Sequence, residues 1–309
     1  MRSTCEACGI RSQMAEDAPL TRVEKLALRF AEFANQDSRG KWLQTRFLRG
    51  FSYVWVRAAL ANRMFVENLD EMCALRPETG VLLVSNHRSF FDQYAMLLAC
   101  YMGPVPWSKS LQFPVRSNFF YDQPLGIAVN ALVAGGAMYP PIYRQAERRQ
   151  MNDAALDTMV EILQHPGNVL GMHPEGTRGK GDDPYTFLPA QPGVGKLALV
   201  GKPVVIPVFT LGLGNNIAQD IKWNFQPGAR REHAVITVFG GPVDYADLLA
   251  EKPRPTLYKK TADRFMAAIK KLGEREKELR AELMAGKISD EDPRWLAQRP
   301  APKLYAREG

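Results

Sequence analysis

His87 and Asp92 stand in the run Asn86-His87-Arg88-Ser89-Phe90-Phe91-Asp92, directly after an apolar stretch at 80–86. An imidazole and a carboxylate at this spacing could form a general-base pair. The carboxylate would fix the tautomer through one ring nitrogen and raise the basicity of the other. Inside one continuous helix, five residues at about 100° each would set the two roughly 140° apart, out of reach. A helix beginning at Ser89 would leave His87 in the preceding loop, free to fold back over the first turn where Asp92 points. Ser89-x-x-Asp92 is also a capping-box pattern, in which Asp92 would serve only a backbone N–H. Both readings are open on these residues.

The run His173-Pro174-Glu175-Gly176-Thr177-Arg178 again follows an apolar stretch, 168–172. Pro174 holds the chain extended and Gly176 permits a turn, so Glu175 and Arg178 would stand on a short rigid loop. Arg178 suits bidentate capture of a phosphate, and Glu175 suits a substrate hydroxyl or a partner arginine. A self-contained Glu175–Arg178 surface pair is the alternative. Tyr139-Pro140-Pro141-Ile142-Tyr143-Arg144 brings a further arginine after an uncharged run. Val204-Val205-Ile206-Pro207-Val208 reads as a strand whose internal proline predicts an edge or pocket-lining position.

These four stretches, in this order, resemble the glycerolipid acyltransferase family that includes the lysophosphatidate (1-acylglycerol-3-phosphate) acyltransferases. The resemblance spans about residues 80–210 and extends to Lys109-Ser-Leu-Gln-Phe-Pro114 and Gly193-Val-Gly-Lys-Leu-Ala198. It implies that His87 is the general base for an acceptor hydroxyl and that Asp92 orients it. It implies further that Arg144, Glu175, Gly176, Thr177 and Arg178 bind the glycerophosphate part of the acceptor. The donor would be an acyl thioester, acyl-CoA or acyl-carrier protein, used as co-substrate with no cofactor and no metal. An acceptor of another class (ornithine lipid, glycolipid, glycerol 3-phosphate) or a noncatalytic lipid-surface protein is the competing expectation. Two positions depart from the family pattern: Tyr143 replaces a small or acidic residue, and His173 stands where an aromatic is common.

Other chemistries lack their residues. There is no Gly-x-Ser-x-Gly elbow and no P-loop. Cys5-x-x-Cys8 lacks a second ligand pair nearby, so zinc or redox chemistry is disfavoured. His165 and His233 have no partner that the sequence identifies.

The elements that must position these groups alternate. Buried-strand runs occur at 80–86, 168–172, 204–209 and 234–239, and helical stretches at 89–101, 151–164 and 194–200. That order implies an α/β fold, a mixed and largely buried sheet flanked by helices. An N-terminal helical pair (21–34 and 38–66) and a C-terminal amphipathic helix (257–285, broken near Gly273) complete it. The expected division is 1–70 for membrane docking, 71–250 for catalysis and 251–309 for a helix and extended tail.

The 309 residues carry a net charge of +7, with 46% hydrophobic residues and four cysteines, a globular composition without a disulfide framework. Residues 1–70 hold 11 basic and 8 acidic residues, 71–250 hold 14 and 15, and 251–309 hold 15 and 10. The excess lies on the flanks, which argues against a nucleic-acid partner. Residues 38–66 contain no acid, and their bases and aromatics (Arg39, Lys41, Trp42, Arg46, Arg49 and Trp55 among them) fit an anionic membrane surface. The uncharged stretch 123–143 is broken by prolines and glycines and does not read as a spanning helix. Residues 1–19 show no secretory h-region and neither end carries a lipid-attachment signal. The expectation is a cytoplasmic protein held peripherally at the cytoplasmic membrane face.

Overall fold

Four stretches of consecutive apolar residues become four neighbouring strands, because a strand covered on both faces needs no polar alternation. The computed structural model describes residues 20–102, 105–132, 134–145, 148 and 150–299; Cys5 and Cys8 lie outside them. Helices α1 (Arg22–Gln36) and α2 (Ser38–Phe47) lead through a wider π-type turn (Leu48–Ser52) into α3 (Tyr53–Leu60). Then come β1 (Met64–Glu67), α4 (Leu69–Ala74), β2 (Val81–Ser85), α5 (Asp92–Met102) and β3 (Ser110–Gln112). The middle holds β4 (Val115–Arg116), α6 (Ser117–Phe120), α7 (Pro124–Leu132), β5 (Pro141–Ile142), α8 (Met151–Leu163) and β6 (Asn168–Met172). The rest is α9 (Pro192–Gly201), β7 (Val204–Leu211), α10 (Ile217–Phe225), α11 (Ala229–Glu232), β8 (Val235–Phe239), α12 (Ala246–Leu249) and α13 (Pro255–Met284).

The chain divides into two compact units, one of residues 1–46 and 114–158, the other of 47–113 and 159–309. The larger unit holds a six-stranded mixed sheet in the order β1-β8-β7-β2-β6-β3. Every pairing is parallel except β7 with β8. The α/β architecture is therefore the one the alternation implied. β2 lies between β7 and β6, and all five of its residues are buried.

Three expectations are corrected. Pro207 is in β7, inside the sheet and paired with Val84 rather than at an edge. It is tolerated because the β8 ladder begins only at Val208, while its carbonyl accepts from Gly240 N–H (2.9 Å) on that same side. Pro207 thus stands at the end of the β7–β8 ladder, where it accepts from Gly240 without returning an N–H bond. α13 runs unbroken through Gly273, where a Cβ would come to 3.2 Å from the Phe209 ring. Close packing there outweighs a glycine cost of about 1 kcal/mol. Met64 to Val66 are strand rather than helix, held by β8 and by the buried cluster of Phe65, Ile236, Leu279, Leu283 and Trp295.

In the smaller unit a reciprocal capping box starts α1: Glu24 N–H donates to Thr21 Oγ1 (3.2 Å) and Thr21 N–H to Glu24 Oε2 (2.6 Å). Asn35 Nδ2 donates to the carbonyls of Ala31 and Gly136, both at 2.8 Å, and Asn35 Oδ1 accepts from Gln44 (2.9 Å). α1 buries Ala27, Ala31 and Ala34 and leaves Val23, Leu26, Phe30 and Phe33 exposed. The uncharged stretch becomes α7, a loop and β5, the last paired in parallel with β4. Among the described residues, no helix is long and apolar enough to cross a membrane.

Candidate active site

β7, β2 and β6 are adjacent and parallel, so their carboxyl ends open on one side, where open α/β sheets take ligands. Asn86 extends β2 by one step: its Nδ2 donates to Thr210 O and its Oδ1 accepts from Thr210 N–H, both at 2.8 Å. The chain then turns, and His87 Nδ1 meets Asp92 Oδ2 at 3.1 Å. The same oxygen accepts the N–H groups of Arg88 (2.7 Å) and Ser89 (2.8 Å). Asp92 thus meets the imidazole and the helix start together, so it does not serve a backbone N–H alone. α5 begins at Asp92 rather than at Ser89, because its carboxylate gathers the preceding N–H groups into a turn. Burial pushes the Asp92 carboxyl up to about 6, against the lowering pull of those N–H bonds.

His173 lies beneath His87, with ring centroids 4.0 Å apart and planes 7° from parallel. Its Nδ1 faces the carbonyls of Asn86 (2.8 Å) and Ser85 (3.2 Å) and must therefore carry the proton. Its Nε2 is buried with no hydrogen-bond partner, and burial beside His87 lowers its pKa to about 3. A neutral ring therefore supports the face of His87.

Glu175 turns inward: Oε1 accepts His87 N–H (2.9 Å) and Oε2 accepts Leu188 N–H (2.8 Å). Its carboxylate ties the loop after β2 to both halves of the connection between β6 and α9 instead of standing free for an acceptor hydroxyl, and burial raises its pKa. Gly176 closes the turn to His173 O (2.9 Å) at φ +66°, a conformation that favours glycine. Thr177 follows, half-buried. Arg178 pairs not with Glu175 but with Asn215, its Nη1 donating to Oδ1 at 2.8 Å, and its guanidinium lies 5.8 Å over the Phe90 ring. His87, Asp92, Glu175 and Arg178 thus converge in the larger unit, while Arg144 is exposed on the loop after β5 in the smaller one.

The basic aromatic stretch divides between the units after Arg46. Arg39 and Trp42 are exposed, and Arg46 stacks over Trp42 at 4.1 Å. Lys41 is half-buried and its pKa lowered by burial. Arg49 donates to Ser108 O (3.4 Å), and Trp55 packs edge-on against Tyr94 at 5.0 Å. His233 stacks on Trp223 at 4.0 Å. Asn215 carried no signal in the sequence, since no motif includes it.

The structure thus sets a loop-borne imidazole–carboxylate pair at the carboxyl edge of a mixed sheet. Residues 63–210 match the family model described as Acyltransferase, so the chain carries an acyltransferase-family domain that holds five of the six sheet strands and residues His87 to Arg178. The resemblance drawn from the motifs is thereby borne out for this domain, which supports an acyltransferase. No curated protein matches it.

Proposed function

We propose that the chain transfers an acyl group from acyl-CoA or acyl-carrier protein to the free hydroxyl of a lysophospholipid, 1-acylglycerol-3-phosphate foremost. The observation that carries this reading is the His87–Asp92 contact of 3.1 Å, with Asp92 Oδ2 held by two backbone N–H groups. Asp92 keeps the proton on Nδ1 and leaves Nε2 as the base. Nε2 takes the acceptor hydroxyl proton while the oxygen attacks the thioester carbonyl. Collapse of the adduct expels the thiolate, which recovers the proton from His87, giving an ester and a free thiol with no acyl-enzyme. Arg178 forms no salt bridge among the described residues, which supports it as the partner of the acceptor phosphate.

The membrane source of the acceptor is supported by α1, whose Val23, Leu26, Phe30 and Phe33 form one exposed stripe at helical spacing. Trp42 and Leu43 of α2 add to the exposed apolar surface. The reading is a peripheral enzyme at the cytoplasmic membrane face. Its test is release of thiol from acyl-CoA or acyl-carrier protein on addition of lysophosphatidate. Transfer should depend on the acceptor, and His87→Ala should reduce it by about 10²–10⁴ without lowering the melting temperature. Undiminished turnover by His87→Ala would remove the general-base assignment.

A further inference from the structure

Two consecutive asparagines follow β7, and only one has a helix to serve. Asn216 is the N-cap of α10, its side chain accepting Gln219 N–H at 3.3 Å. Asn215 instead turns its Oδ1 to two N–H donors, Arg178 Nη1 (2.8 Å) and the backbone of Phe90 (2.9 Å). Both partners only donate, so the amide oxygen must face them. Ser89 adds a second tie to this loop by donating its hydroxyl to Gly214 O.

One neutral oxygen thus joins the loops after β2, β6 and β7 and fixes the direction of the guanidinium. A carboxylate in its place would make the same bonds but would also neutralise Arg178. We propose that Asn215 is a positioning residue for recognition of a phosphate-bearing acceptor: it aims Arg178 while leaving its charge to the incoming anion. This rests on the reading of Arg178 as the phosphate partner.

Asn215→Asp separates holding from neutralising, because the aspartate is isosteric and still accepts both N–H groups. It should raise KM for lysophosphatidate about tenfold, a change of about 1.4 kcal/mol, with kcat little altered. KM for a neutral monoacylglycerol and the melting temperature should stay at the parent's values. Titration of inorganic phosphate, followed on the Arg178 side-chain N–H resonances, reads the same charge effect without turnover: binding should be weaker in Asn215→Asp than in the parent. Unchanged phosphate binding and KM in Asn215→Asp would overturn the proposal. Equal rises in KM for the charged and neutral acceptors would do so too, since they would mark a purely structural role. Arg178→Gln tests the underlying reading separately: if it leaves KM for lysophosphatidate unchanged, the phosphate assignment fails whatever Asn215→Asp does.

Discussion

Three N–H groups converge on Asp92 Oδ2, from His87 and from the backbone of Arg88 and Ser89. Burial nevertheless wins, lifting the carboxyl from the ordinary 3.8 to about 6. The consequences for activity and stability have opposite signs. Activity needs the ionised carboxylate, so kcat/KM should fall as pH drops through about 6. Folding favours the protonated form, so this group's contribution to stability is fully present below 3.8 and is lost as pH rises through about 6. Asp92→Asn removes the charge and keeps an oxygen for the backbone N–H groups. It should lower kcat by about 10²–10⁴ through the wrong His87 tautomer. Its melting temperature near neutral pH should equal or exceed the parent's. Parent-like kcat in this variant would contradict the pairing.

At the scale of elements, the site depends on where β2 stops. Asn86 is 1% exposed, and its amide replaces a strand residue opposite Thr210. Asn86→Ala would leave the Thr210 N–H and C=O buried without partners, costing about 2–4 kcal/mol. Denaturant unfolding measures this, and a loss below about 1 kcal/mol would show that the strand end is held by other means. The strands that carry the site were legible because β2, β6, β7 and β8 are covered on both faces and read as continuous apolar runs. β1 was not, since only the short turn at 61–63 separates Met64-Phe65-Val66 from α3, and the strand continues the apolar composition of that helix. β3, only three residues long, leaves too short a pattern to read. His87 with Asp92 was legible from spacing and turn chemistry. The inward task of Glu175 was not, because a carboxylate that accepts backbone N–H groups has the same sequence signature as one that meets a substrate.

At the scale of the whole molecule, the charge and the apolar surface can be assigned separate tasks. Residues 1–70 carry 11 basic and 8 acidic residues, and one of those acids, Glu24, is buried against Arg148. α1 turns Leu26 outward at 70% exposure and Phe30 at 45%, while its alanines face inward. An interfacial helix needs this arrangement: basic groups draw the protein to anionic headgroups, and apolar side chains then enter the acyl boundary. Replacing Leu26 and Phe30 together by Glu should therefore weaken binding to anionic vesicles at least tenfold, since each buried apolar side chain is worth about 1.5–3 kcal/mol. The melting temperature should fall little, because Leu26 is largely in water and Phe30 is about half exposed. Added salt should weaken the parent's binding further, through screening of the bases. Trp55→Ala offers the contrast: its ring lies against Tyr94 in the larger unit, so it should lower stability and leave vesicle binding unchanged. Vesicle binding that survives the double Glu substitution, or that is lost with Trp55→Ala at equal stability, would move the docking surface away from α1.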